Sequence, residues 1–278
     1  MRIHGLRGCM AALLMTCLTM FGSGTAYAAK DKIVFATPPT QTLEQTIKLY
    51  GPIADYLSKV TGKKVVLATP DTFLKYTNDM RAGKYDLVFD GPHFSGWRID
   101  KEDQTALVRV PGAIRFVVVV RNDAGVRKVD DLAGKKVCSF ASPNLLTMGF
   151  LDLFPNPARL PIMVKAESPP AALKCVRSDE APAAVMRDIF WNKRKPEQKK
   201  GLTEIYASKV PWPGRTFTIS KEVDQNTRDK IKAALLSDQG ALAAKNVLAS
   251  FRAKHFISAK DEDYKGLGKL LKPVWGFY

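Results

Sequence analysis

Apolar residues along this chain fall into two alternating rhythms, and the alternation is nearly unbroken. Short β-branched runs read as strands, and longer stretches with apolar residues three or four apart read as helices. Lys32–Ala36 (KIVFA) predicts a first strand. Thr42–Val60 carries Leu43, Ile47, Tyr50, Ala54 and Leu57 at helical spacing. Gly51-Pro52 is expected to kink or divide that helix, and Gly62 to end it. Val65–Ala68 predicts a second strand. A helix capped by Asp71 or Thr72 runs to Ala82 and stops at Gly83. Asp86–Phe89 is a third strand, and Pro92 opens another short helix. This β-α-β-α-β order predicts a parallel or mostly parallel sheet covered by helices.

Ile114–Val120 (IRFVVVV) is a continuous apolar run, long enough to leave one unit and enter another. A second alternation follows it. Strands are expected at Lys136–Phe140, Ile162–Ala166, Ala183–Met186 and Glu204–Ala207, with helices at Asn144–Phe154 and Pro170–Arg177. Arg215–Ser220 (RTFTIS) reads as a return strand. The tail is expected to be helical over Arg228–Leu236, Ala241–Arg252 and Glu262–Trp275. Two α/β units joined by two extended crossings predict two lobes with a cleft between them. The crossings near Arg115–Arg121 and Gly214–Ser220 are the expected hinge. Ligands of open α/β sheets sit beyond the carboxyl ends of the strands, so the loops after each strand carry the candidate site.

The N-terminus changes what counts as the folded protein. Arg2 and Arg7 precede an apolar run from Cys9 to Phe21, and Ala26-Tyr27-Ala28 supplies a small-x-small cleavage pattern. This reads as a secretory signal peptide over 1–28, with a mature start at Ala29. Removing 28 of 278 residues leaves 250. Two arginines leave with the signal, so a formal charge of +16 becomes +14. Cys9 and Cys17 leave too, and Cys138 and Cys175 remain in an oxidising compartment, either as one disulfide or as two buried thiols. His93 and His255 are too few for a His-rich metal site, so no cofactor is expected. The basic runs Lys193-Arg194-Lys195 and Lys199-Lys200 lack the aromatic interleaving of a nucleic-acid surface and read as a solvated face. No G-x-S-x-G, H-E-x-x-H, phosphate loop or G-x-G-x-x-G occurs in the mature chain, which leaves an enzyme reading without support.

Several segments carry a resemblance. Gly51-Pro52-Ile53-Ala54-Asp55-Tyr56-Leu57 resembles the "PLADYL" helix of the periplasmic phosphonate/phosphite-binding proteins of ABC importers. Residues 73–92 (FLKYTNDMRAGKYDLVFDGP), 131–137 (DLAGKKV) and 258–271 (SAKDEDYKGLGKLL) are similar to further family segments, in the same order. The resemblance covers nearly the whole mature chain. It implies a type 2 periplasmic binding protein architecture of two Rossmann-like lobes, with the C-terminal segment returning to the first. Lobe 1 would be 29–116 with 217–278, and lobe 2 would be 117–216. It also implies a periplasmic monomer that captures a small solute and delivers it to an inner-membrane permease. The alternative is a periplasmic sensor or accessory protein of the same fold that signals to a membrane partner.

Candidate ligand groups follow from the loops, each beside a plainer role. Ser142, Asn144 and Thr147 surround an expected helix start, where backbone N–H groups attract anions; capping alone is the alternative. This turn, SPNLLTMG, holds fewer hydroxyls than the Ser/Thr-rich turn of the family. Asp90 and His93 follow the third strand, and Asp90 is expected to meet a proton or ammonium on the ligand, or else to cap a helix. Arg187 is expected to grip an oxyanion and Asp188 an ammonium, unless the two form a surface ion pair. Thr37 follows the first strand. The resemblance makes Phe73 a cleft wall; its spacing also suits a core position. Together these predict a small anionic or zwitterionic ligand.

Overall fold

The structure is a computed structural model and describes residues 30–274 and 276–277. The expected signal peptide at 1–28, the cut before Ala29 and the end of the last expected helix at Trp275 lie outside the described residues. In chain order the strands are β1 (Lys32–Ala36), β2 (Lys64–Ala68), β3 (Leu87–Asp90), β4 (Thr105–Arg109), β5 (Ala113–Ile114), β6 (Phe116–Arg121) and β7 (Lys136–Ser139). They continue with β8 (Ile162–Lys165), β9 (Ala183–Arg187), β10 (Leu202–Ala207), β11 (Trp212–Pro213), β12 (Thr216–Ile219) and β13 (Ile257–Ser258). The helices are α1 (Leu43–Thr61), α2 (Phe73–Arg81), α3 (Pro92–Lys101), α4 (Leu145–Leu151) and α5 (Pro169–Arg177). They continue with α6 (Asp188–Asn192), α7 (Pro196–Lys199), α8 (Gln225–Leu236), α9 (Asp238–Ala243) and α10 (Lys245–Ser250).

One sheet has the order β13-β4-β12-β3-β1-β2 and the other β10-β6-β9-β7-β8. The pairs β1–β2 and β1–β3 are parallel, and β12 is antiparallel to both β3 and β4. In the second sheet β7 is parallel to β8 and β9, while β6 is antiparallel to β9 and β10. The short strands β5 and β11 pair with each other and carry the chain between the sheets. Phe116 pairs with Arg187 in the second sheet, and Thr216 pairs with Asp90 in the first. The expected boundaries therefore move: Phe116 joins lobe 2 and Thr216 joins lobe 1. The crossings are the paired β5–β11 ribbon rather than the segments 115–121 and 214–220, because those segments are needed to complete sheet ladders.

Both faces of each sheet are covered, which explains the unbroken apolar runs. Ile33, Phe35, Phe89 and Phe217 face α1 and the α8–α10 side, while Ala36 and Val88 face Tyr76, Met80 and Phe94. Val117 and Val119 pack with Cys138 and Met186; Val118 and Val120 pack with Val137 and Phe150 on the opposite face. Cys138 and Cys175 form a disulfide that ties α5 to β7, with their Cα atoms 6.4 Å apart.

Three expectations about helices are corrected. α1 runs through Pro52 without a break. The carbonyl that Pro52 leaves without a donor belongs to Lys48, on the exposed face and open to solvent, and Gly51 offers no Cβ to meet the ring. The buried face of α1 is Thr46, Tyr50, Ile53, Ala54 and Leu57, whereas Leu43 and Ile47 point outward at 60% and 52% exposure. The last expected helix is instead two 3-10 turns, Asp261–Asp263 and Leu267–Leu271, separated by the left-handed Gly266. No helix of the described residues is long and apolar enough to cross a membrane.

Candidate functional site

The strand registers gather polar groups at one edge of each sheet. Asp90, Thr216 and Arg109 lie side by side across β3, β12 and β4. Thr37 follows β1 at that edge, and Gly91 to His93 follow β3. In the second sheet the corresponding edge holds Arg187 at the end of β9, opposite Phe116, and the loop 140–144 after β7. The β5–β11 ribbon holds the two edges toward each other. Between them, Nε2–H of His93 donates to the carbonyl of Pro143 at 2.8 Å.

His93 is neutral. Burial holds its pKa down to about 4, against partial opposition from Asp90 and the Pro143 bond. Since Nε2 carries the proton, Nδ1 presents a lone pair, and it has no hydrogen-bond partner among the described residues. The ring sits close over Gly91, where an added Cβ would lie 2.9 Å from His93 Cε1. Glycine is required there to let the ring in.

The Asp90 expectation is corrected by its surroundings. The side chain is buried, and its carboxylate already has a full set of donors. Arg98 Nη2 donates to Oδ2 at 3.1 Å, the Tyr76 hydroxyl donates to the same oxygen, and the Gly91 N–H donates to Oδ1 at 2.6 Å. Arg98 is also fully buried, lies 5.6 Å from the Tyr76 ring centre and donates to the Tyr76 oxygen. Burial works against the Arg98 charge, but Tyr76, Asp90 and Glu102 outweigh it. Burial pushes the Tyr76 hydroxyl well above its ordinary range, so it stays protonated. Asp90 is thus neutralised from behind and has no call for an ammonium from the ligand. A buried carboxylate at a strand end demands a cation partner. That demand was the sequence signal that could have found Arg98, eight residues downstream.

The other expected residues divide into those at the edge and those turned inward. Phe73 is half-buried at the start of α2 and packs against Tyr76 and Phe94, 6.4 and 6.5 Å between ring centres. Thr37 is buried. Ser142 is exposed, with its hydroxyl 3.3 Å from Met148 Sδ. Asn144 caps α4 by accepting from the Leu146 N–H at 3.0 Å. One of the donors expected to reach a ligand is therefore taken by the cap. Thr147 is corrected outright: it is fully buried and its hydroxyl donates to the Phe140 carbonyl at 2.6 Å, with Ser139 Oγ 2.9 Å away. Asp188 is the first residue of α6, and its carboxylate accepts from the neighbouring Ile189 N–H at 2.7 Å.

Arg187 differs from all of these. It is half-buried, its Nη2 donates to the Ala113 carbonyl at 3.1 Å, and its Nε is buried without an acceptor. Among the described residues no carboxylate lies within ion-pair distance of it. Burial lowers its pKa, with Asp188 opposing from a distance. A second cation, Arg215, precedes β12 and was not expected. Its field lowers the pKa of Tyr50 against the effect of burial and also acts on His93. Among the described residues no group of His, Cys, Asp and Glu has the arrangement of a metal site.

Comparison with known proteins places this architecture. The profile of a family described as "ABC transporter, phosphonate, periplasmic substrate-binding protein" matches residues 35–264. The phosphate-import protein PhnD of Mycolicibacterium smegmatis is 29% identical over 137 residues, a match spanning 46% of this chain and 42% of that protein. The chain thus matches less than half the length of this curated relative. PhnD1 from Prochlorococcus marinus, solved with methylphosphonate, is 16% identical with a TM-score of 0.61, covering 88% of this chain and 98% of that one. A Xanthomonas citri protein bound to ATP is 14% identical with a TM-score of 0.66, covering 87% and 96%. These likenesses fix the fold as a type 2 periplasmic binding protein. With a profile match across most of its length, the chain belongs to the periplasmic substrate-binding proteins of phosphonate ABC transporters.

Proposed function

We propose that this protein captures a small phosphonate- or phosphate-like oxyanion between its lobes in the periplasm and delivers it to an ABC permease. The observation that carries this reading is Arg187: a half-buried guanidinium at the cleft edge with an unfilled donor and, among the described residues, no carboxylate within ion-pair distance. A cation in that setting favours an anion far more than one in bulk water does. Arg215 adds positive potential from the opposite lobe. His93 and Phe73 close the first-lobe side, Thr37 lines its base, and Ser142 and the Asn144 turn face them from lobe 2. Asp90 is paired with Arg98, which favours an oxyanion over a zwitterion. A hydroxyl on a singly protonated oxyanion would donate to Nδ1 of His93.

Family membership supports transport over a signalling role. Export by the N-terminal signal, a monomeric state and the absence of cofactor and nucleic acid complete the proposal. No covalent chemistry is involved. Calorimetric titration of the mature chain with methylphosphonate, phosphite, phosphate and an aminoalkylphosphonate tests it. Methylphosphonate or phosphate should bind, and the aminoalkyl compound should gain nothing from its ammonium. Heat from none of the oxyanions would sink the reading, and a large gain from the ammonium would return Asp90 to the site.

A further inference from the structure

Lobe 2 carries a second concave feature along α5. A hollow of about 430 Å³ is lined by Leu173, Lys174, Arg177, Phe190 and Arg194, and it runs from Pro170 to Ser178. Its cations lie toward the far end of α5. That helix leaves the cleft edge at Pro169 and reaches Arg177 after nine residues, about 12 Å away at 1.5 Å per residue. Nothing acidic lines the hollow. Two nearby acids, Asp123 and Asp179, both hold Arg121.

The three cations are mounted differently. Arg194 sits over the Phe190 ring, its Cζ 4.4 Å from the ring centre, and its Nε is buried with no acceptor among the described residues. Arg177 is steadied by a bond from Nη2 to the Gln198 carbonyl, which leaves the rest of its fork outward. Lys174 is exposed one helical turn before Arg177. Among the described residues none of the three has a carboxylate within ion-pair distance. Two guanidinium forks and an ammonium around one hollow suit a group with several anionic oxygens, and a phosphate fits better than a carboxylate. Leu173 and the Phe190 ring give the same hollow an apolar wall.

We propose that this hollow is a second anion site, for a phosphate group bearing an apolar or ring substituent. Two sources share that chemistry: a free organophosphate and the headgroup of an anionic phospholipid. The site is independent of the cleft and of the ligand assigned there.

The test uses the mature chain with Arg187→Ala, so that cleft binding does not contribute. In one arm phenyl phosphate is titrated against isotope-labelled protein and followed by amide shifts. In the other, sedimentation is measured with vesicles of phosphatidylcholine alone or mixed with phosphatidylglycerol. Saturable shifts confined to residues 173–178 and 190–198, weakened at least tenfold by Arg194→Glu, would assign a soluble organophosphate. Binding only to the anionic vesicles, lost with Arg194→Glu and kept with Lys193→Glu, would assign a lipid headgroup. Lys193 carries the same charge outside the hollow, so an equal loss with Lys193→Glu means net charge alone and overturns the proposal. Absence of a response in both arms overturns it as well.

Discussion

The two edges that meet at the cleft treat charge in opposite ways. Lobe 1 pairs its buried charges with one another: Asp90 accepts from Arg98 and Tyr76, and His93 is neutral, although Arg98 Nε and Nη1 and His93 Nδ1 have no partner among the described residues. Lobe 2 presents Arg187 with a buried donor unfilled and only a backbone carbonyl bound. The charges of the first arrangement are balanced without a ligand, and those of the second are not. On the proposed reading the cleft has one jaw whose charge pairing is finished at folding. Its other jaw would gain its counter-charge when an anion arrives. The apolar contacts of Leu270 with Leu145 and Met148 bring the C-terminal segment against lobe 2 and set how closely the jaws approach.

Breaking the finished jaw should have the largest effect. Arg98→Met removes the cation and leaves Asp90 and Tyr76 buried and mispaired. Loss of one partner from a buried ion pair costs about 3–5 kcal/mol. Urea unfolding should show that loss, while the affinity of the surviving folded fraction for methylphosphonate changes little. A loss below about 1 kcal/mol would mean that the pair is solvated and that lobe 1 is not preorganised by it.

The unfinished jaw should respond in the opposite sense. Arg187→Ala should weaken anion binding by about 2–5 kcal/mol if the guanidinium is buried against the ligand. Unfolding free energy should stay within about 0.5 kcal/mol, as for surface substitutions away from a network. Calorimetry and unfolding on the same sample separate the two. A variant that loses stability and keeps affinity would reverse the contrast between the lobes.

The hinge offers a middle-sized perturbation. Gly149 on α4 faces Trp212 in the β5–β11 ribbon, and a Cβ there would lie 2.0 Å from Trp212 Cη2. Trp212 is stacked on Phe116 at 5.6 Å and has little room to withdraw. Overpacking of this kind costs about 1–3 kcal/mol. Gly149→Ala should therefore push lobe 2 off the ribbon, seen as a larger radius of gyration by solution scattering and as faster ligand release. An unchanged radius would show that the indole turns aside instead.

Much of this arrangement could be read from the residue pattern, and the misses share a cause. The alternation of strands and helices and the existence of two crossings follow from local periodicity, although the crossings lie at β5 and β11 rather than at the expected segments. Arg187 was legible as a cation ending a strand, at the edge expected to carry the site. Thr147, Asp90 and Asp188 were legible as polar residues near that edge but not as occupied ones. Their partners, Phe140, Arg98 and the Ile189 N–H, are set by side-chain direction and tertiary packing, which spacing does not report. Leu43 and Ile47 failed for the same reason: helical spacing locates a stripe, but only the sheet decides which stripe is buried. The last expected helix failed because Gly266 takes a left-handed φ of 76° that breaks it, and Gly268 sits in close contact with Trp97.

The smallest expected effect concerns two titrating groups at opposite ends of α3, and it sharpens the account of lobe 1. His93 begins the helix region, and burial lowers its pKa from 6.5 to about 4. Its contribution to stability is present above pH 6.5 and is lost as pH falls toward 4, because only the unfolded chain takes the proton in that window. Glu102 ends the helix with Oε1 buried and unpartnered, and burial raises its pKa from 4.5 to about 7, with Arg98 opposing. Its contribution is present below pH 4.5 and is lost as pH rises toward 7, because there the folded chain holds the extra proton. The two slopes oppose each other between about pH 4.5 and 6.5, so they largely cancel in the wild type. Removing either should expose the other. Relative to wild type, Glu102→Gln should lose stability toward acid, and His93→Gln should lose it toward neutral pH. Each slope is bounded by about 1.4 kcal/mol per pH unit. Thermal unfolding across that range reads both, with the other carboxylates common to all three proteins. Variant slopes of the same sign would mean that one of the groups is solvated, and that the finished jaw has an open end.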